Sequence, residues 1–374
     1  MPYPTTVFKE LIERYPTWPE LECVLESEEG GWFRIIEGEG DLCIIRYEKG
    51  ISNMNLPYSK WFRSVVWNRR THLPVSVAPP KACNEPMLSD GIYQEWLDGF
   101  MINAFRVAGD PTLHLSTRSC LDASGHFYSS RPFRDLFMEA CTGKDVDAWN
   151  EQSIPAPHEI ETARFYSFLV QHTEHRIVTD HLINRVYVIQ KGTVYPDGTV
   201  VIEDDPSLPP YHSIPTYTIE NVPLYLQTQP WSVQGLVCKD GKGNRWRIRN
   251  EKYEVVRSLR GTTSCTVNRF AQLYTQHMMH HYLTFYPSDA ILFAHYQEKL
   301  HHIIECLYYE YQYLHVLKTR PIHVIEKMYH PHLYALHGFY LTVLRPRPLA
   351  IHDIQEYVRK LPWQRIAFLI RKIG

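Results

Sequence analysis

Tyr93-Gln94-Glu95-Trp96-Leu97-Asp98-Gly99-Phe100-Met101-Ile102-Asn103 sets two strand-forming runs on either side of an Asp-Gly pair. Asp and Gly suit tight backbone geometry, so Asp98-Gly99 reads as a turn between strands. Trp96 closes the first run. The lone pair of its indole nitrogen belongs to the ring, so the side chain offers one N–H donor and no basic or nucleophilic centre. On residue type alone Trp96 is an aromatic that fills a core or a cleft, because an indole buries so much surface.

Outward from this stretch the texture stays sheet-like up to about residue 265. Leu42-Cys43-Ile44-Ile45-Arg46-Tyr47, Ser64-Val65-Val66-Trp67-Asn68 and Asn184-Arg185-Val186-Tyr187-Val188-Ile189-Gln190 are rich in β-branched and aromatic residues and predict strands. Pro206-Ser207-Leu208-Pro209-Pro210 reads as a surface loop, since three prolines cannot serve a central ladder. After Thr262-Thr263-Ser264 the pattern changes. Phe270 to Met279, Ala290 to Leu317 and Ile351 to Ile373 place apolar residues three and four apart, which predicts helices. Pro287, Pro321, Pro331, Pro346 and Pro348 supply the breaks between them. The expected organisation is an α+β domain of antiparallel sheets over 1–265, followed by an all-α domain over 266–374.

The chain has 374 residues, enough for two such cores. Lys plus Arg total 39 against 41 for Asp plus Glu, a formal charge of −2, so any attraction for a nucleic-acid backbone has to be local. The 8 cysteines include no Cys-x-x-Cys pair and fit reduced thiols better than a disulfide framework. The first residues lack a basic segment followed by an apolar one, and no run of about eighteen apolar residues occurs, so neither secretion nor membrane insertion is expected.

Several motifs, taken together and in order, resemble the RNA ligase 1-like branch of the ATP-dependent nucleotidyltransferases. Lys60-Trp61-Phe62-Arg63-Ser64-Val65-Val66-Trp67 is similar to that family's Arg-Gly strand, and Pro74-Val75-Ser76-Val77-Ala78-Pro79-Pro80-Lys81 to its Pro-and-Lys segment. Trp96-Leu97-Asp98-Gly99 stands where the family has Lys-x-Asp-Gly, and Leu113-His114-Leu115-Ser116-Thr117-Arg118-Ser119 resembles the strand that follows. Phe165-Tyr166-Ser167-Phe168 with Arg176-Ile177-Val178 looks like Phe-Glu-Phe and its Asn-Arg-Ile-Val continuation. Gln234-Gly235-Leu236-Val237 resembles Glu-Gly-x-Val, and Arg247-Ile248-Arg249 resembles Lys-x-Lys. The resemblance covers most of the chain and implies a nucleotidyltransferase (ligase adenylation) fold with a C-terminal helical domain that helps engage RNA.

It also implies roles that this chain fills differently. In the family the motif lysine attacks the α-phosphorus of a nucleotide, acidic side chains hold Mg²⁺ or ribose, and two lysines neutralise phosphate. Here those positions hold Trp96, Ser167, Gln234, Arg247 and Arg249. Arginine keeps the charge and still binds phosphate. Serine and glutamine remove the anionic oxygens that a hard cation prefers. Loss of the nucleophile removes a reaction step outright, because positioning cannot replace an absent covalent partner. The expectation is a catalytically degenerate pseudoenzyme with no cofactor. Phosphate or nucleotide would meet Arg63, Lys81, Asp98, Arg118, Arg247 and Arg249, and the partner would be RNA, a nucleotide or proteins of a viral assembly, in a cytoplasm or virion. The alternative is a working ATP- and Mg²⁺-dependent RNA ligase that recruits Lys81 or Lys60.

Competing readings stand beside these. Asp98-Gly99 serves equally as a plain turn, and Arg245, Arg247, Arg249 and Lys252 along one expected strand form either a phosphate groove or a solvated face. His277 with His280 or His281 would share a helical face at metal-ligand spacing, yet no acidic or cysteine partner accompanies them and no metal site is expected. Tyr308-Tyr309-Glu310-Tyr311-Gln312-Tyr313 offers either base-stacking rings or helical core.

Overall fold

The computed structural model describes residues 2–38, 40–83, 91–110, 112–142, 154–208 and 211–373. Two compact units emerge, Met1–Arg257 and Ser258–Gly374, so the division falls eight residues before the expected one. The class is mixed α+β, with antiparallel sheets first and helices after.

In the first unit a six-stranded sheet runs in the order Tyr3–Thr5, Val200–Asp204, Arg185–Val194, Ala163–Gln171, Phe100–Val107, His114–Ser116. Strict alternation gives it two apolar faces. Ile102, Ala104, Tyr166, Phe168 and Val170 pack beneath the helix Phe133–Thr142, against its Leu136 and Phe137. On the opposite face Phe105 and Phe165 join the core under Phe33–Glu37, Leu42–Tyr47, Val65–Asn68 and Leu73–Val77, a four-stranded sheet whose Trp67 and Ile44 are fully covered. That same face carries Met101, Asn103, Ser167 and Leu169 further along, where the covering sheet gives way to a cleft. A bulge between Val188 and Gln190 brings Ile189 and Gln190 to the same place.

The cleft's second wall is another four-stranded sheet, ordered Thr216–Ile219, Gly91–Glu95, Gly235–Lys239, Arg245–Arg249. Its Tyr93 and Leu236 pack on Val222 and Leu226 of the helix Val222–Thr228. The alternate positions, Gln94, Val237, Lys239, Arg245 and Arg247, line the cleft. Gly235 at φ 149° crosses under the next strand so closely that a Cβ would stand 2.1 Å from the Ile248 carbonyl oxygen. Lys252 is not on this strand. It lies in the helix Glu251–Arg260, where its ammonium donates to the Gln227 and Gln229 carbonyls.

The second unit is helical, over Thr266–Thr275, Met279–Phe285, Ala290–Tyr311, His330–Phe339, Ile351–Arg359 and Trp363–Lys372. Leu300, Ile303, Ile304, Leu307 and Tyr311 form the buried stripe of the longest helix, so the tyrosine repeat is partly core. The expected helix Phe270 to Met279 is interrupted because His277 adopts φ 58°, and that places His277 off the helix that carries His280 and His281. The shared helical face expected for these histidines therefore does not exist. Pro362 likewise divides the last helical stretch. Among the described residues no helix is long and apolar enough to cross a membrane.

Candidate functional site

Trp96 follows the strand Gly91–Glu95 and is pinned through its backbone, whose N–H donates to the Gly235 carbonyl at 2.9 Å. Its half-buried indole lies 4.8 Å from the Arg247 guanidinium carbon and 5.2 Å from that of Arg249, within cation–π reach of both. The strand's end thus presents an aromatic ring flanked by two cations. Asp98 and Gly99 turn the chain into the next strand. One Asp98 carboxylate oxygen accepts the backbone N–H groups of Val178 and Thr179, each at 3.0 Å, and its carbonyl accepts the Gln171 amide at 3.1 Å. Asp98 is 5% exposed, so its charge is spent on the fold. Gly99 runs against the neighbouring strand, with room for no Cβ: the nearest atom, Val170 O, would be 2.4 Å away.

Cationic side chains converge on the cleft. Arg63 reaches the Met101 sulfur at 3.7 Å and, among the described residues, has no carboxylate within ion-pair distance. Burial pulls its pKa down to about 10; Tyr47 opposes the drop, while Arg247, Arg245 and Arg118 add to it. Arg247 is lowered by burial and then by Arg249, and it too lacks a carboxylate among the described residues. Arg249 sits at the exposed end and pairs with Glu254 at 2.5 Å. Arg245 pairs with Asp204 at 2.5 Å, and Lys239 pairs with Asp205. Burial lowers the Lys239 pKa first, Arg245 second, with Asp205 and Asp204 opposing. Among the described residues the lining carries one carboxyl, Glu95, whose pKa is raised by burial.

The remaining sites fall elsewhere. Ser167 is fully buried and donates to the Asn103 carboxamide at 2.7 Å. Gln234 is 7% exposed, and its carbonyl accepts the Asn250 N–H at 3.1 Å. Arg118 donates to the Tyr47 carbonyl at 2.9 Å, stacks on that ring, and with Arg63 and Asn103 lines a neighbouring pocket of about 310 Å³. Pro80 and Ala82 line the cleft beside Trp96, but Lys81 between them does not. Lys60 is tied to Asn244 at 2.7 Å. Among the described residues no three His, Cys, Asp or Glu side chains gather as a metal site.

Sequence reasoning missed Lys239, the lysine that lines the cleft. The signal was present, because Lys239 lies two residues beyond Val237 and shares its face of the strand. It also missed the buried group formed with Asp204, Asp205, Arg245 and Tyr3, where, among the described residues, one oxygen of each aspartate and the Arg245 Nε have no hydrogen-bond partner. No protein-family model matches the chain, and no curated protein is significantly similar to it.

Proposed function

We propose that this chain is a catalytically degenerate, RNA-ligase-like protein, a nucleotidyltransferase-type scaffold that binds the phosphates of RNA or a nucleotide in its inter-sheet cleft without forming a nucleotidyl-enzyme at residue 96. One observation carries the reading: the Trp96 indole occupies the motif position while Arg63 and Arg247, both facing the cleft, have no carboxylate to neutralise them among the described residues. A half-buried guanidinium with no carboxylate beside it gains from an anion that reaches it, and its planar fork matches phosphate. Ser167 and Gln234 supply no anionic oxygen for a metal.

A second reading, an active ligase with a relocated nucleophile, draws on Lys239, whose amine is on the cleft wall although Asp205 holds it. Lys60 and Lys81 are less suited to that role by their positions. Incubation with Mg²⁺ and α-labelled ATP, followed by denaturation, separates the two. No protein-bound label is expected. Label that vanishes in Lys239→Arg would establish the second reading instead. Binding of single-stranded RNA should weaken as salt rises, by about 0.7 log units per log unit of salt for each phosphate contacted. Salt-insensitive behaviour with no RNA retained would transfer the case to an assembly role.

A further inference from the structure

We infer that the cleft selects the phosphate groups of its ligand and excludes the base, with Trp96 as the residue that sets this preference. The inference rests on the phosphate-binding reading above and adds the ligand class. The cavity beside Trp96 measures about 100 Å³. Pockets that bury a small organic ligand occupy roughly 300 to 1,000 Å³. Its apolar lining includes Leu97, Leu169 and Ile189, which pack as one cluster. To enter this cavity, a purine has to expel either those side chains or the indole; a base seated instead in the neighbouring pocket of about 310 Å³, which shares Arg63 and Met101, would make ATP bind far tighter than tripolyphosphate.

The indole does not yield cheaply, since its backbone is bonded to Gly235 and its ring is held against two guanidiniums. The polar part of the lining is open to anions. Arg63 and Arg247 present unneutralised donors there, and a phosphate oxygen needs little room to reach them. A ligand that offers phosphates with its bases turned outward suits both the small cavity and the cationic lining. Free polyphosphate and an RNA backbone share this chemistry.

Titration calorimetry on the full chain tests the inference with tripolyphosphate, ATP and adenosine as probes. Tripolyphosphate and ATP should bind within about threefold of one another, and adenosine should give no binding heat. Trp96→Gly should open the slot and favour ATP over tripolyphosphate by about tenfold. Trp96→Leu should move the same ratio in the same direction by less, and it serves if the glycine variant fails to fold. Wild-type ATP binding about tenfold tighter than tripolyphosphate, or an unchanged ratio in a folded Trp96 variant, overturns the inference and leaves phosphate binding intact. Failure of every phosphate ligand, RNA included, removes the phosphate-binding reading itself. An abasic ribose-phosphate oligomer that matches base-bearing RNA of equal length assigns the RNA backbone as source. Binding of tripolyphosphate alone assigns free polyphosphate, and a strong preference for one base overturns base exclusion.

Discussion

Two arginines drawn back from solvent, one in each unit, face opposite circumstances. Arg260 in the helical unit donates to the Tyr282 hydroxyl at 2.5 Å and to Asp289 at 2.8 Å, and its guanidinium lies 5.2 Å from the Tyr286 ring centre. Burial works against its charge, but Tyr282 and Asp289 outweigh that and raise its pKa. Arg63 in the sheet unit has a methionine sulfur and other arginines for company, and its pKa falls. A buried charge with its counter-charge inside the same unit ties elements together. A half-buried charge without one is a charge that an anion from outside would stabilise.

The contrast can be broken most severely at Asp289. Asp289→Ala strands Arg260 without its carboxylate and should cost about 3 kcal/mol of stability, read as a lowered denaturation midpoint. An unchanged midpoint would mean that the pair holds nothing together.

His332 extends the comparison to protonation. It is 2% exposed, its Nδ1 meets the Tyr357 hydroxyl at 2.9 Å, and burial, then Arg365, lowers its pKa from 6.5 to about 4. The folded state therefore keeps it neutral. Its contribution is complete above the unfolded value near 6.5 and is lost as pH falls toward 4. Between pH 7 and pH 5 the loss should be about 2 kcal/mol, and His332→Leu should flatten that slope whatever its absolute stability. A variant with the wild-type slope refutes the assignment.

The smallest change is expected at Arg63. Arg63→Met replaces a charge that has no internal partner with an apolar side chain, so stability should hold or rise by about 1 kcal/mol while phosphate binding weakens. A loss of stability as large as that of Asp289→Ala would erase the distinction between the two arginines.

How far the sequence carried this reading varies with the element. Leu42–Tyr47 and Arg245–Arg249 alternate or run β-branched, and both are strands. Ala290–Tyr311 follows from its three- and four-residue apolar spacing. His277 could not be anticipated, since nothing local marks a histidine that will take a left-handed backbone and end a helix. At the site, Trp96, Arg63 and Arg247 were legible as residue types, and the structure brings them to one cleft. Lys239 and its aspartates escaped because Asp204 and Asp205 lie more than thirty residues away along the chain, in a different sheet, and meet Lys239 and Arg245 only where the two sheets face each other. The roles of Asp98 and Ser167 were equally hidden, because a side chain that bonds to backbone or to a buried amide looks, in sequence, like one that waits for ligand.

Asp98 carries a lesson for judging other chains built on this pattern. A carboxylate that clamps two peptide nitrogens of a distant loop is required for that loop to settle, whether or not any reaction takes place next to it. Its presence testifies to architecture and says nothing of turnover.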